Sequence, residues 1–215
     1  VPLAEIHLEH MNTELITALE TSGEDRKIFC SETLLDPAKA KCSVRSAVIS
    51  CYQDKGFLIA GTTNKTEKEL GFFLTFGDNL AHFKPIAHLY QSELEPFAKV
   101  LGTEECVIQQ EPSAGFWPGQ TDLEDFAYWI IYDGPIVFPR EFTDEEVRHA
   151  EAIKKELTYK KIDRVLDAYL CGKNLQEIQK DTRMPEEIIL GLIHIAEKAK
   201  RLKNRKILME MKRER

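Results

Sequence analysis

Three polar side chains occupy predicted loops or an exposed helix, where each could do chemistry. Thr62 opens the segment TTNKTE, where a hydroxyl or a backbone amide can donate a hydrogen bond. Arg45 lies in a predicted helix, and its planar guanidinium suits a phosphate or a carboxylate. His82 lies in a predicted loop and could act as a pH-sensitive donor. Each also has a structural interpretation: a turn residue for Thr62, a surface arginine for Arg45 and an exposed loop residue for His82.

The first half of the chain predicts alternating helices and strands to hold these residues. Apolar residues recur at helical spacing over residues 5–21, 38–53 and 90–101. The run GFLIAG at 56–61 is apolar and bounded by glycines, as is typical of a buried parallel strand. This strand–loop–helix alternation favours an α/β fold with a parallel sheet.

The second half predicts a long loop followed by a helical section. Residues 111–121 are rich in Gly and Pro, which indicates a loop. Helical periodicity covers residues 143–170 and 174–181. A last helix should then begin with Pro185 in its first turn, where proline is well tolerated.

An insertion of about residues 126–155 separates the loop from the helical section. Within it, residues 128–139 contain two β-prone runs around Asp133, Gly134 and Pro135, which predicts a hairpin. The insertion could be a lid over a ligand, a packing arm onto a partner or a surface hairpin that buries its own aromatic side chains. These aromatic residues are Trp129, Tyr132 and Phe138.

Composition argues against several classes of protein. The five cysteines form no CxxC pair and no His/Cys cluster with zinc spacing, so we expect reduced thiols in a cytoplasmic protein. No apolar run is long enough to span a membrane, and the first residues do not resemble a signal peptide. The net charge is −7, and the positive charge is concentrated after residue 150. Such a basic end favours nucleic acid only weakly.

Several segments resemble the ammonia-dependent NAD synthetase family. GTTNKTEKELGFFLTFGD is similar to the family's GTGNKSE…LGYFTKYGD, and EPSAGFWPGQTDLED is similar to PPSAGLWPGQTDEEE. PIAHLYQSELEPFAKVLG and ELTYKKIDRVLDAYL also have counterparts in the family. The resemblance extends from about residue 38 to residue 205, interrupted by the insertion.

The resemblance implies a fold and a reaction. The family fold is a parallel α/β sheet of the adenine-nucleotide α-hydrolase-like type. Its members adenylate the nicotinate carboxylate of deamido-NAD with ATP and Mg²⁺, and ammonia then displaces AMP to give the amide. They are homodimers that hold deamido-NAD across the subunit interface, so we expect a homodimer here, through the predicted helices at 38–53 and 90–101.

The resemblance also assigns site residues by their place in the matching motifs. Glu67 matches the family's magnesium glutamate, and carboxylates are ligands that Mg²⁺ prefers. The residues implied to bind ATP are Thr62 and Ser113. Those implied to bind deamido-NAD are Arg45, His82 and Lys200.

The sequence departs from the family at residues that would touch nucleotide. The loop SGGxDS, which grips pyrophosphate and supplies an aspartate to magnesium, does not occur in these 215 residues. A family lysine is Thr75 here, an aspartate is His82, a second lysine is Gln91, and the histidine of the terminal HKR motif is Ala199. A degenerate paralogue that binds nucleotide without turnover is therefore an alternative to an active ligase.

A DNA-binding regulator is a further alternative, because residues 159–200 can be interpreted as a helix-turn-helix with a basic end. Four apolar residues in its second helix leave few polar side chains to read bases: Ile188, Ile189, Leu192 and Ile195. We therefore consider nucleic acid an unlikely partner. The predicted organisation is an α/β core over 1–125, an inserted hairpin or lid over 126–155 and a helical section with a basic tail over 156–215.

Overall fold

The computed structural model describes residues 5–21, 37–74, 77, 79–115, 118–135 and 142–207. These residues are largely helical and contain ten α-helices. In chain order the helices are α1 (Glu9–Thr21), α2 (Pro37–Gln53), α3 (Lys65–Leu70), α4 (Gln91–Val100), α5 (Glu105–Ile108), α6 (Asp122–Tyr132), α7 (Asp144–Glu156), α8 (Tyr159–Leu170), α9 (Leu175–Thr182) and α10 (Glu186–Ile207).

The predicted helices are confirmed, but the predicted parallel sheet is not found in the described part of the chain. There, strand pairing is limited to one isolated parallel bridge between Ala60 and Phe83. Among the described residues, the extended run 57–61 is hydrogen-bonded along one edge only, whereas a sheet needs strands on successive edges. No described segment supplies the further strands.

The hairpin predicted for residues 128–139 is wrong over residues 128–132, which belong to α6. Thr121 caps this helix, and three acidic residues in its first turn interact favourably with the helix dipole. The helix ends at Asp133, whose φ of 60° is left-handed. Burial of one face of α6 outweighs the β-propensity of its aromatic and branched residues. Residues 136–141 lie outside the described ranges.

The aromatic residues of the insertion pack rather than stand free. The Trp129 ring lies 5.2 Å from the Phe72 ring and 6.3 Å from the Phe126 ring. The Tyr132 hydroxyl donates to the carboxylate of Glu146 at the start of α7. Trp129 and Tyr132 therefore contact other residues of the same chain, and the choice between a lid, an arm onto a partner and a self-packed insertion stays a prediction. Phe138 lies outside the described ranges.

The chain divides into two compact units. The first comprises residues 1–61, 73–85 and 137–141. Within it α1 contacts α2, and the side chains of Cys42 and Val44 on α2 are buried. The Ala60–Phe83 bridge also lies in this unit.

The second unit comprises residues 62–72, 86–136 and 142–215, and it contains the larger hydrophobic core. Its most deeply buried side chains come from α6, α8, α9 and α10 and include Phe126, Ile162, Leu166, Ile178, Ile189 and Leu192. The four apolar residues of the alternative recognition helix, Ile188, Ile189, Leu192 and Ile195, are therefore part of this core. No helix in the described ranges is long and apolar enough to cross a bilayer. The boundaries at residues 125 and 155 stay predictions.

Candidate functional site

The loop before α3 is held by its own side chains. Asn64 is almost fully buried and caps α3 by accepting a hydrogen bond from the Glu67 N–H at 3.0 Å. In return, the Glu67 carboxylate accepts from the Asn64 backbone N–H at 3.1 Å and from Asn64 Nδ2 at 2.8 Å. This capping box fixes the direction of the Glu67 side chain.

The beginning of α4 lies beside the beginning of α3. Asn64 Nδ2 also donates to Gln91 Oε1 at 2.7 Å, and the Lys65 N–H donates to the Leu89 carbonyl at 2.7 Å. Gln91, which replaces a family lysine, is thus tied to the residue that orients Glu67. The amide at this position therefore has a structural partner within the loop.

A buried carboxylate on α8 joins both helix beginnings. Asp163 is 4% exposed, and its Oδ1 accepts from Thr66 Oγ1 at 2.5 Å while its Oδ2 accepts from the Ser92 N–H at 2.8 Å. Thr66 Oγ1 in turn accepts from the Gln91 N–H at 2.8 Å. The first N–H groups of a helix have no partner inside it. At the start of α4, those of Gln91 and Ser92 donate instead to side chains of α3 and α8.

Sequence reasoning missed Asp163, although one signal was present. The residue stands between apolar neighbours on the buried face of α8, where an unpaired carboxylate would be costly. Burial raises the pKa of the Asp163 carboxyl, and the hydrogen bonds from Ser92 and Thr66 lower it. A polar residue inside an apolar helical stripe therefore indicated a buried partner.

The second motif is folded around Asp122, the first residue of α6. The Asp122 N–H donates to the Pro112 carbonyl at 3.1 Å, and the Asp122 carboxylate interacts with the backbone N–H of Ala114. Ser113 Oγ, on the exposed side of this loop, accepts from the Gly115 N–H at 3.0 Å. Burial raises the pKa of Asp122 to about 6.

Tyr159 brings the two motifs into one electrostatic environment. Burial is the main cause that raises the pKa of the Tyr159 hydroxyl, and the negative charges of Asp122, Glu67 and Glu111 raise it further. The Tyr159 hydroxyl lies near enough to Asp122 to lower the pKa of its carboxyl. Within the described residues, neither the hydroxyl nor Asp122 Oδ1 is within hydrogen-bond distance of a partner in a suitable direction. Glu67 and the loop at 111–115 therefore act on the same buried hydroxyl.

Three of the six predicted site residues lie near these motifs in the second unit. Thr62 and Ser113 are exposed, and Glu67 is half-buried. Lys200 is placed on Tyr169 instead, with Nζ 3.2 Å from the hydroxyl oxygen and 4.3 Å from the ring centroid. Thr62, Glu67 and Ser113 thus all belong to the second unit.

The other two predicted residues belong to the first unit. Arg45 is exposed on α2. His82 is exposed as well, and its Nδ1 accepts a hydrogen bond from the Ile59 N–H at 3.0 Å. His82 therefore has a structural contact to the extended run 57–61.

Two further departures from the family pattern have different surroundings. Ala199 is buried on α10, and a Cβ added to Gly71 would meet the Ala199 Cβ at 2.9 Å. The alanine at this position therefore suits a tight contact between α10 and the end of α3. Thr75 lies outside the described residues.

The donor set near Glu67 fits Mg²⁺ only if other ligands share the ion. Among the described residues, no group of three or more His, Cys, Asp or Glu side chains could hold a metal. Glu67 offers one oriented carboxylate, and Mg²⁺ is commonly bound by one or two carboxylates together with water and substrate phosphates. Glu67 could therefore serve as one ligand of a shared ion.

Comparison with known proteins matches residues 13–156 to the family model described as NAD synthase. The NH(3)-dependent NAD(+) synthetase of Methanocaldococcus jannaschii is 29% identical over 150 residues, which are 69% of this chain and 47% of the relative. The enzyme of that name from Carboxydothermus hydrogenoformans is 47% identical over 72 residues, covering 34% of this chain and 30% of the relative. This chain spans about half the length of the first of these curated relatives.

A solved structure shares the fold. The NMN synthetase of Francisella tularensis superposes with a TM-score of 0.58 at 20% identity, covering 90% of this chain and 60% of that one. At this identity the likeness concerns the fold alone. The matched family model shows that this chain belongs to the NAD synthase family.

Proposed function

We propose that this chain contributes to an NAD synthetase that amidates deamido-NAD with ammonia at the expense of ATP. The reaction class is that of a ligase forming a carbon–nitrogen bond. The observation that carries the proposal is the match of residues 13–156 to the NAD synthase family model, which spans the two motifs that hold Glu67 and Ser113. The hydrogen bonds from Asn64 to the Glu67 carboxylate support it, because they orient the carboxylate that the resemblance assigns to magnesium.

Glu67 would act on the phosphate side of the site. Its carboxylate is oriented by Asn64 and would bind Mg²⁺ together with ATP phosphates. When bound, the ion would neutralise negative charge on the phosphates during adenylation. Thr62 and Ser113 are exposed in the flanking loops, where their hydroxyl groups can donate to the nucleotide.

Deamido-NAD would be bound by cationic and imidazole side chains. Arg45 offers a planar guanidinium for a phosphate or carboxylate, and Lys200 offers a point charge. His82 Nδ1 accepts a hydrogen bond from the Ile59 N–H, so the proton of the neutral imidazole is on Nε2. Nε2 can therefore donate to the ligand. We further propose that the active form is a cytoplasmic homodimer.

Substituting Glu67 by Gln tests the proposal. Gln at this position can still accept from the Asn64 backbone N–H, as a capping box requires, so α3 should keep its cap. The variant loses the negative charge and also the hydrogen bond from Asn64 Nδ2. Calorimetric titration with ATP should show Mg²⁺-dependent binding to the original chain and at least a tenfold loss in Glu67→Gln. The matched control is Glu95→Gln on α4, an exposed glutamate paired with Lys99, which should bind as the original chain does.

Two results would contradict the assignment. Equal affinity of the original chain and Glu67→Gln would remove Glu67 from the metal site. Absence of any Mg²⁺-dependent ATP binding by residues 1–215 would reject nucleotide binding by this part of the enzyme.

A degenerate paralogue that binds nucleotide without turnover is the second candidate. The observation in its favour is Gln91, which replaces a lysine and is hydrogen-bonded to Asn64. Nucleotide binding together with complete inactivity, in a protein that includes an SGGxDS loop, would support it.

A further inference from the structure

A polar cleft in the second unit is lined by the start of α4, one side of α8, Lys173 and the end of α9. Its volume of about 620 Å³ lies within the range of small-molecule pockets, which is about 300–1,000 Å³. Tyr90 and Ala168, which are both nearly buried, contribute apolar surface to it. None of the six residues assigned to ATP, magnesium or deamido-NAD lines this cleft.

The carboxylates that α8 contributes to the cleft already have partners. Asp163 accepts a hydrogen bond from the Ser92 N–H at 2.8 Å. Asp167 accepts from the Tyr90 hydroxyl at 3.3 Å, and its Oδ1 lies 3.9 Å from Lys65 Nζ. Both carboxylates are therefore bound to groups of the same chain.

The carboxylates from the other two helices have partners as well. Glu93 on α4 accepts from the Tyr90 N–H at 2.7 Å. Asp181 on α9 accepts from Lys173 Nζ at 2.9 Å, which is the main cause of its lowered pKa, and the positive charge of Arg164 adds a smaller effect. Lys173 is therefore occupied by Asp181.

Lys160 and Arg164 lie one turn apart on α8, and both side chains are exposed. Neither of them makes a hydrogen bond or a close ion pair with any residue in the described ranges. Like charges at this spacing destabilise a helix. The first turn of α8 contains no acidic residue, so the positive end of the helix dipole adds to these two charges. This side of the cleft therefore carries positive charge that no described carboxylate neutralises at close range.

We propose that this cleft binds a phosphate-bearing small molecule, with the phosphate held by Arg164 and Lys160. A phosphate monoester carries a charge of about −1.5 to −2 at pH 7, which matches two positive charges without a partner. The guanidinium of Arg164 can donate two parallel hydrogen bonds to phosphate oxygens, and the Lys160 ammonium adds a point charge. The remainder of the ligand would lie against Tyr90 and Ala168.

The test titrates the 215-residue chain with ribose 5-phosphate, inorganic phosphate and ribose, and follows the backbone amide signals by NMR. The solution contains EDTA and no Mg²⁺, so that binding through a metal at Glu67 does not contribute. We expect saturable shifts at residues 90–93 and 160–168 with both phosphate compounds and none with ribose. Tighter binding of ribose 5-phosphate would assign the rest of the cleft to the organic part, and equal binding would assign the site to free phosphate.

Substitutions test whether the two cations hold the phosphate. Arg164→Gln and Lys160→Gln should each weaken binding about tenfold, because each removes a hydrogen bond between charged groups. Arg164→Lys keeps the charge but loses the planar fork, so it should weaken binding to a smaller extent. The matched control is Arg148→Gln, an exposed arginine of α7 that does not line the cleft, and it should change affinity by less than about twofold. The same spectra show that each variant is folded.

Three results would overturn the proposal. One is the absence of saturable shifts at α8 with either phosphate compound. Another is equal affinity of the original chain and Arg164→Gln. The third is a set of shifts confined to residues 62–67 and 111–115, which would place the phosphate at the candidate ATP site instead. The readout involves neither Mg²⁺ nor catalysis, so failure of the proposed ligase activity would leave this inference standing.

Discussion

Asp163 is a buried carboxylate that helps to hold the beginnings of α3 and α4 together, although it belongs to none of the motifs to which the resemblance assigns a role. It accepts hydrogen bonds from Thr66 on α3 and from the Ser92 N–H on α4. The direction of the Glu67 side chain depends on the same region, through Asn64 and Gln91. At the scale of single residues, the hydrogen bonds of Asp163 thus help to fix the loop that orients Glu67.

Replacing Asp163 by Asn should destabilise the second unit. One oxygen could still accept from Thr66, but the new NH₂ group would face the Ser92 N–H, leaving two buried donors opposed. We expect a loss of about 1–3 kcal/mol in the free energy of unfolding, measured with urea. The control Asp167→Asn, one turn later and exposed, should change it by less than about 0.5 kcal/mol. Equal effects of the two substitutions would contradict the role of Asp163.

Asp125 predicts a pH dependence of stability. Burial is the main cause that raises its pKa to about 7, and the Gln120 amide, which donates to Oδ2 at 2.8 Å, partly opposes it. Since the folded-state pKa is above the unfolded one, the folded protein binds more protons between these values. The Asp125 contribution is therefore favourable at low pH and is lost as the pH rises from about 4 to about 7.

Asp125→Asn should remove this loss. The variant should be more stable than the original chain at pH 8, by about 1 kcal/mol or more, and this advantage should shrink towards pH 5. Thermal unfolding at a series of pH values measures the effect. Glu124→Gln, which removes the neighbouring ion pair with Lys154, should give no such gain at pH 8. A constant difference across the pH range would argue against titration of Asp125.

Helix packing depends on close contacts that single residues permit. At Gly191 of α10, an added Cβ would lie 2.8 Å from Ile130 Cγ2 on α6. The end of α6 is held to α10 by a second set of contacts, in which Asp133 accepts from Lys198 and pairs with His194 at 3.2 Å. At the scale of elements, residues 128–132, predicted as part of a hairpin, belong to a helix that packs against the last helix.

Gly191→Ala should therefore destabilise the protein, although alanine favours a helix by about 1 kcal/mol over glycine. Overpacking against Ile130 should cost about 1–3 kcal/mol. In an Ile130→Ala background the same substitution should become neutral or stabilising, because the clashing methyl group is gone. Chemical unfolding of the four variants of this cycle gives the coupling energy. Additive effects would show that Ile130 does not limit the contact.

For the whole molecule, we expect residues 1–215 alone to form no NAD from deamido-NAD, ATP and ammonia. Adenylation depends on positioned groups that stabilise charge, and loss of one such donor typically lowers the rate by about 10²–10³-fold. The sequence contains no SGGxDS loop to grip pyrophosphate. A coupled dehydrogenase assay follows the product. Turnover at ordinary enzyme rates would mean that another part of this chain replaces the loop.

The sequence predicted the features that depend on local pattern and on motif. Helical spacing and a proline in the first turn predicted α2, α4, α9 and α10. The segments around Glu67 and Ser113 indicated the family, which the matched model shows. Such signals lie within a few residues of one another, so they need no knowledge of distant contacts.

Tertiary structure alone decided which distant residues meet. The β-prone residues 128–132 became helical because α6 buries one face against the core, and burial outweighs a weak strand preference. Asp163 acquired its partners from segments 71 and 97 residues away in sequence. Within the part of the chain that the structure describes, the apolar run 57–61 has a neighbour on one edge only, so its strand character leads there to a single bridge and not to a sheet. A strand's pairing depends on what lies at each edge, and the residues of the strand do not encode that.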